Sequence, residues 1–463
     1  MAVAVLDAAR IRAIVERHFR VYENRVERFG DDEAHLFYVI FPSHEFDTRY
    51  EAVRSAIRKE DPELLVFLRR EAGEDVLFVA SRPAAMVKPS RAQAFLLVAT
   101  LLTTGTAGTM LWYSYASAGD AWTWSTLFTP QNIGWGLATF TLPLIAILGL
   151  HEMAHYITAR RHGLRATLPY FIPVPPITPM AIGTFGAFIR LKDPVPDRKA
   201  LFDVGASGPI MGFFAALPIV LVGAFLTTAN AMPVPDLDRP ELGLQGTVRD
   251  EGPGEMVVDL AKPGPQAILI NSTSASTWSY TLRVREHGAD GTDRTATFTG
   301  RIPRGGSDFV ALNLSEEARG ELTVTWEDGL YSFGDPLLVK GLRKLGFEDN
   351  DYLTHPTYVA GWVGLLVTGI NLLPAGPLDG GHVARALLGD KMRYAAWASL
   401  GLLLVLGLLF TSWVLMTFLL LLMGINHPPP LNDRTPLDGR RKLIGLAVVL
   451  ILVLTFVPIP LKP

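Results

Sequence analysis

Three side chains in the stretch LPLIAILGLHEMAHYITARR could do chemistry together: His151, Glu152 and His155. On an α-helix His151 and His155 are i and i+4, so both imidazoles project from one face and can hold one metal ion. Glu152 stands beside them, where its carboxylate can take a proton from an attacking water and serve as general base. The flanking sequence is apolar enough to lie in a bilayer. An ionisable group at that depth costs on the order of 2.5–3.5 kcal/mol even on lenient insertion scales. Neutral imidazoles and a cation for the glutamate to face would offset that cost. The bland alternative is two histidines satisfied by hydrogen bonds between helices.

Hydrolytic zinc sites use three protein ligands and leave one position open, so a third ligand must come from elsewhere. The stretch TGINLLPAGPLDGGHVARALLG, residues 368–389, places Asn371 and Asp379 in an apolar context broken by Pro374, Pro377 and the three glycines Gly376, Gly380 and Gly381. Irregular backbone at membrane depth survives only where it is buried in protein or lines a watery cavity. Asp379 is expected at the start of a helix that resumes at Gly380, where it either binds metal or merely caps the helix. His382, one turn on, is either an alternative ligand or an outer group that orients the site.

These residues need apolar helices to position them. Of 463 residues, 49% are hydrophobic and only 19% charged, a membrane-protein composition. Six apolar runs, at 92–115, 132–159, 202–229, 358–373, 397–424 and 443–458, predict six to seven transmembrane helices, two of the runs being slightly short. The run from Tyr394 to Gly424 would be roughly 46 Å as one helix and is expected to fold as a hairpin near Thr411 and Ser412. A net charge of -3 gives no footing for nucleic acid, and the absence of cysteine excludes disulfides and thiolate ligands.

Two polar regions flank and interrupt the spans. Residues 1–88 predict a small soluble α/β domain with a regulatory or docking role. Its expected elements are a helical pattern over Asp7–Arg28, a strand at His35–Phe41, a second helix in DTRYEAVRSAIRKE and a hairpin turning at Gly73. No cleavable signal peptide is expected there. Residues 238–347 predict a β-sandwich-like extracytoplasmic insert, dividing the transmembrane core into 89–237 and 348–463. No Lys or Arg occurs between Arg91 and Arg160, whereas seven crowd 160–199. The positive-inside rule then puts the N-terminus and that connection in the cytoplasm and the insert outside. Within the connection, LPYFIPVPPITPMAIGTFGAFIRL (168–191) has the turn residues and alternation of a membrane-embedded hairpin, the alternative being a simple loop. Its edge, including Gly183 and Gly186, could bind an extended substrate by strand addition.

HEMAH inside a span, followed more than two hundred residues later by NLLPAGPLDGGH, resembles the site-2 protease family of intramembrane zinc metalloproteases, peptidase family M50. The segments 183–213 and NHPPPLNDRTPLD also resemble that family, in the branch with an added N-terminal soluble domain. The resemblance implies hydrolysis of peptide bonds within or next to transmembrane segments, as in regulated intramembrane proteolysis. It further implies one Zn2+ per chain on His151, His155 and Asp379, Glu152 as general base, and Asn371 contacting the substrate backbone. The implied partners are a transmembrane protein substrate and the lipid bilayer, and the implied setting is the plasma membrane of a prokaryote. The β-rich insert departs from the family pattern and carries no GLGF-like carboxylate loop. A catalytically silent helix-binding protein of the same fold would need a damaged site, and a transporter would place polar residues and broken helices similarly.

Overall fold

The computed structural model describes residues 8–29, 33–41, 46–71, 73–81, 91–117, 123–176 and 182–230, the strands between 241 and 333, and then 336–344, 353–410, 413–425, 427–458 and 461–462. At the N-terminus, α1 (Ala8–His18) is followed by β1 (Val21–Phe29), β2 (Glu33–Ile40), α2 (Phe46–Glu60), β3 (Leu64–Glu71) and β4 (Glu74–Ser81). The strands form one antiparallel sheet in the order β1-β2-β4-β3. Period-two alternation decides its faces. Leu36, Tyr38 and Ile40 pack with Val15, Tyr50, Val53 and Ile57 of the helices, while Phe37, Val76 and Phe78 cluster separately. The hairpin turns at Gly73, whose φ of +92° suits a residue without Cβ.

The helix expected over Asp7–Arg28 ends at His18. Residues 21–29 form a strand instead, paired with β2 from Val21↔Ile40 to Phe29↔Glu33. The window VYENRVERF carries β-branched and aromatic residues, and a ladder to the next strand, β2, outweighed a local helical pattern.

The core begins with α3 (Ala92–Ala116), α4 (Trp124–Leu127) and α5 (Pro130–Gly136), which runs through a π turn (Leu137–Thr141) into α6 (Leu142–Arg161). Thr129 caps α5 by accepting from the Asn132 amide. Gly108 and Gly136 let α3 and this helix touch, since a Cβ on Gly136 would lie 2.5 Å from the Thr109 nitrogen. Next come β5 (Tyr170–Pro173) and β6 (Thr184–Phe188), an antiparallel hairpin in which Tyr170 faces Phe188, and then α7 (Arg198–Asn230).

Between 241 and 333 the strands are β7 (Glu241–Leu242), β8 (Gly246–Gly252), β9 (Glu255–Leu260), β10 (Gly264–Asn271), β11 (Trp278–His287), β12 (Asp293–Ile302), β13 (Ser307–Leu314), β14 (Arg319–Glu327) and β15 (Ser332–Phe333). They make two antiparallel sheets, β13-β10-β7 and β12-β11-β14-β9-β8, and β15 pairs with β16 (Leu461–Lys462) near the end of the chain.

The second half of the core holds α8 (Leu337–Lys344), α9 (Pro356–Asn371), α10 (Asp379–Leu388), a 3-10 turn (Gly389–Lys391), α11 (Met392–Leu409), α12 (Val414–Met423) and α13 (Gly439–Thr455). Among the described residues, four helical stretches are long and apolar enough to cross a membrane: 92–116, 130–161, 198–230 and 379–409. The other expected spans are shorter helices. α9 has 16 residues, ten of them buried in unbroken succession from Pro356 to Leu365, so it is an inner helix of the bundle. α13 has 17 residues. The long run divides after Leu409, and α12 packs back on α11, with Thr417 donating to the Leu403 carbonyl at 3.1 Å. The expected turn residues Thr411 and Ser412 lie outside the described residues.

Candidate metal centre

α6 presents His151, Glu152 and His155, all at least nine-tenths buried. Facing them, the chain leaves α9 at Asn371 and crosses the LLPAGP turn before α10 begins. A carbonyl from Leu372 fills the place a side chain on Gly380 would need, and the Gly376 carbonyl does the same at Gly381. These contacts hold the start of α10 against the end of α9. α10 starts at Asp379, one residue earlier than expected, with Leu378 in the cap position, so the aspartate is not the cap. Its carboxylate turns to the histidine pair instead.

His151 Nε2 lies 3.1 Å from Asp379 Oδ2, His155 Nε2 3.2 Å from Asp379 Oδ1, and the two Nε2 atoms 3.2 Å apart. Glu152 Oε1 is 3.9 Å from His151 Nε2. Among the described residues these three form a group whose ligand atoms all lie within 4.8 Å of one another. Corners of a tetrahedron built on bonds of ~2.0–2.1 Å are roughly 3.3 Å apart, so the donor set fits one zinc-sized ion. The donors are two imidazole nitrogens and a carboxylate oxygen, suited to zinc and unsuited to calcium or magnesium, which want mostly oxygen.

α7 supplies the backing. The His155 Nδ1 pairs with the Val204 carbonyl at 2.7 Å, an arrangement in which Nδ1–H donates and Nε2 is left as the lone-pair nitrogen. Gly205, Gly208 and Gly212 form the groove in which these rings sit. A Cβ on Gly208 would fall on the His155 ring, one on Gly212 would lie 2.8 Å from His151 Nδ1, and one on Gly205 2.5 Å from the His382 Cβ. Sequence reasoning assigned none of these four residues a role. The signal available was the spacing of small residues in DVGASGPIMG, which permits close approach along one helix face.

A cavity of about 240 Å3 opens onto the group, walled by Glu152, His155, Asn371, Asp379 and His382 on one side and by Ala187, Phe188 and Ile189 at the end of β6 on the other. Asn371 thus stands at the cavity. His382 borders it with Nδ1 directed to the Leu378 carbonyl at 3.1 Å, and its ring meets His427 at 4.3 Å between centroids. Burial pulls the His427 imidazole down to about 4, so it faces His382 as a neutral ring at pH 7. The two glycines lie apart from this wall. Gly183, with φ +81°, is pressed against α3, and its carbonyl accepts from Thr103 Oγ1 at 2.6 Å. Gly186, with φ +100°, receives no contact where a Cβ would stand.

The peptidase family M50 model matches residues 139–411, more than half of the chain, and the chain belongs to that family. Curated plant relatives are similar. "Probable zinc metalloprotease EGY1, chloroplastic" of Arabidopsis thaliana is 25% identical over 321 residues, covering 68% of this chain and 42% of that protein. "Probable zinc metalloprotease EGY2, chloroplastic" of Oryza sativa subsp. japonica is 26% identical over 68% of this chain and 41% of its own. "Probable zinc metallopeptidase EGY3, chloroplastic" of Arabidopsis thaliana is 33% identical over the same shares. The match therefore spans about two fifths of these relatives' length. Their names place them in chloroplasts, so they lend no support to the expected prokaryotic plasma membrane; the apolar helices establish membrane character alone.

Proposed function

We propose that this protein is an intramembrane zinc metalloprotease that hydrolyses peptide bonds within or next to transmembrane segments of membrane proteins. The observation that carries the reading is the meeting of the His151 and His155 imidazoles with Asp379, beside a cavity that Glu152, His155 and Asp379 line, within a bundle of apolar helices. His151, His155 and Asp379 would hold one zinc, which when bound supplies a Lewis acid that polarises the scissile carbonyl and makes water acidic enough to deprotonate near pH 7. Glu152, buried beside the ligands, takes the proton from the attacking water and can return it to the leaving amine. Val204 fixes the His155 tautomer. Asn371 offers an amide to the substrate backbone at the cavity wall.

A transmembrane helix has its carbonyls engaged in hydrogen bonds, so the scissile stretch must be extended before it can react. The β5–β6 hairpin ends at the cavity, and its free edge offers backbone groups for an extended segment. Gly183 and Gly186 would shape that hairpin. The N-terminal domain and the basic 160–202 connection share the cytoplasmic side, the sheets at 241–333 lie opposite, and a prokaryotic plasma membrane is one setting this topology suits. The test is Glu152→Gln. The amide leaves the ligands untouched but cannot accept the proton, so the variant should keep zinc and lose cleavage of a model transmembrane substrate by at least about a hundredfold. Comparable cleavage by variant and parent would end the general-base assignment.

A further inference from the structure

The stretch Leu431–Thr435 touches both the N-terminal domain and the helix that carries Asp379. On one side the Leu431 and Asn432 amides donate to the Val195 and Pro196 carbonyls, at 2.9 and 2.8 Å, where the chain enters α7. On the other, Leu68 of β3 donates to the Leu431 carbonyl at 2.7 Å and accepts from the Asp433 amide at 3.2 Å. The segment therefore runs as a short parallel strand between the outer edge of the N-terminal sheet and residues 195–197. Asn432, buried, stiffens it by accepting from the Arg434 and Thr435 amides. Arg434 reaches back to Asp75 of β4 at 2.7 Å and lies over the Phe46 ring of α2.

Asp433 points the other way, into an ion pair with Arg385, a buried arginine of α10 six residues beyond Asp379. Arg385 also donates to Asp390 at 2.8 Å, and Arg198 donates to the Ala386 carbonyl at 2.9 Å. These contacts anchor the far end of α10. Its near end has no side-chain cap and is held by close backbone packing at Gly380 and Gly381, so this anchor is the second constraint on the register in which Asp379 meets the histidines.

We propose that Asp433 is a positioning residue for Asp379, and that docking of the N-terminal domain on the Leu431–Arg434 segment sets it. The inference rests on the metal-site reading above. The domain is then a regulatory module: whatever loosens its hold on this segment relaxes the metal centre.

The experiment compares full-length parent, Asp433→Asn, Asp433→Glu, Arg434→Ala and the Asp433→Asn/Arg434→Ala double variant. Each is assayed for kcat and KM on a model transmembrane substrate and for zinc retained against a graded chelator. Asp433→Asn should lower kcat about tenfold with KM within about twofold, and release zinc at about tenfold less chelator. Asp433→Glu should recover most of this. Arg434→Ala, which touches no residue of the metal centre, should move both readouts the same way by about threefold. The double variant should be no worse than Asp433→Asn, because both changes act through one path. Parental kcat and zinc retention in the folded fraction of Asp433→Asn, or effects that multiply in the double variant, would overturn the proposal. If Asp433→Asn does not fold, unchanged values for Arg434→Ala overturn it alone. A zinc-free, inactive parent would sink the functional reading instead.

Discussion

At the residue scale, Asp379 is the proposed metal ligand and His382 stands in the wall beside it. Asp379 faces both imidazoles at 3.1–3.2 Å, whereas His382 directs Nδ1 to a backbone carbonyl. Asp379→Ala should therefore empty the site under a mild chelator, while His382→Ala should weaken retention by about ten- to a hundredfold at most. Zinc content after dialysis decides it, and a loaded Asp379 variant beside an emptied His382 variant would exchange the two roles. His151, Glu152 and His155 were legible in the sequence because a helix fixes i, i+1 and i+4 on adjoining faces. From residue chemistry alone Asp379 was legible as a carboxylate in an implausibly apolar place, and its expected role as a ligand came from the resemblance carried by NLLPAGPLDGGH. Val204 was invisible, since its contribution is a main-chain carbonyl that any residue type could offer.

At the element scale, α7 works as a mould for the His151 and His155 rings. Replacing Gly208 by Ala would drive a methyl group into the His155 ring, an overpacking that costs ~1–3 kcal/mol and displaces a ligand. Gly208→Ala should thus lose most of its zinc, whereas Gly134→Ala, where a Cβ meets nothing, should behave as the parent. Metal analysis of the two purified variants makes the comparison, and full zinc in Gly208→Ala would show that α7 is a passive neighbour. Apolar runs predicted where helices lie because burial in lipid or protein demands them. They could not tell a crossing helix from the inner helix α9, whose burial comes from neighbouring helices. Local periodicity also missed β1, whose strand state is decided by pairing with β2, and the π turn that leads into α6.

At the scale of the whole molecule, the basic residues near 160–199 and the sheets at 241–333 should lie on opposite sides of the membrane. With no cysteine anywhere in the chain, single-cysteine variants give a clean reading. Arg17→Cys and Thr295→Cys, both at exposed positions, should react with an impermeant maleimide from opposite faces of sealed vesicles. Labelling from the same face would reverse one half of the topology. The sheets between 241 and 333 were legible as strands from their turn residues, but their order was not, because pairing among distant strands leaves no local mark. The proposed function requires that zinc held by His151, His155 and Asp379 cleave a membrane-embedded peptide. The most direct measurement strips the purified protein of metal, places it in lipid vesicles with a transmembrane substrate, and titrates zinc back while following cleavage. No cleavage is expected without metal and full recovery at one zinc per chain, with Glu152→Gln binding the same equivalent and remaining inactive. Undiminished cleavage by the metal-free protein would contradict it.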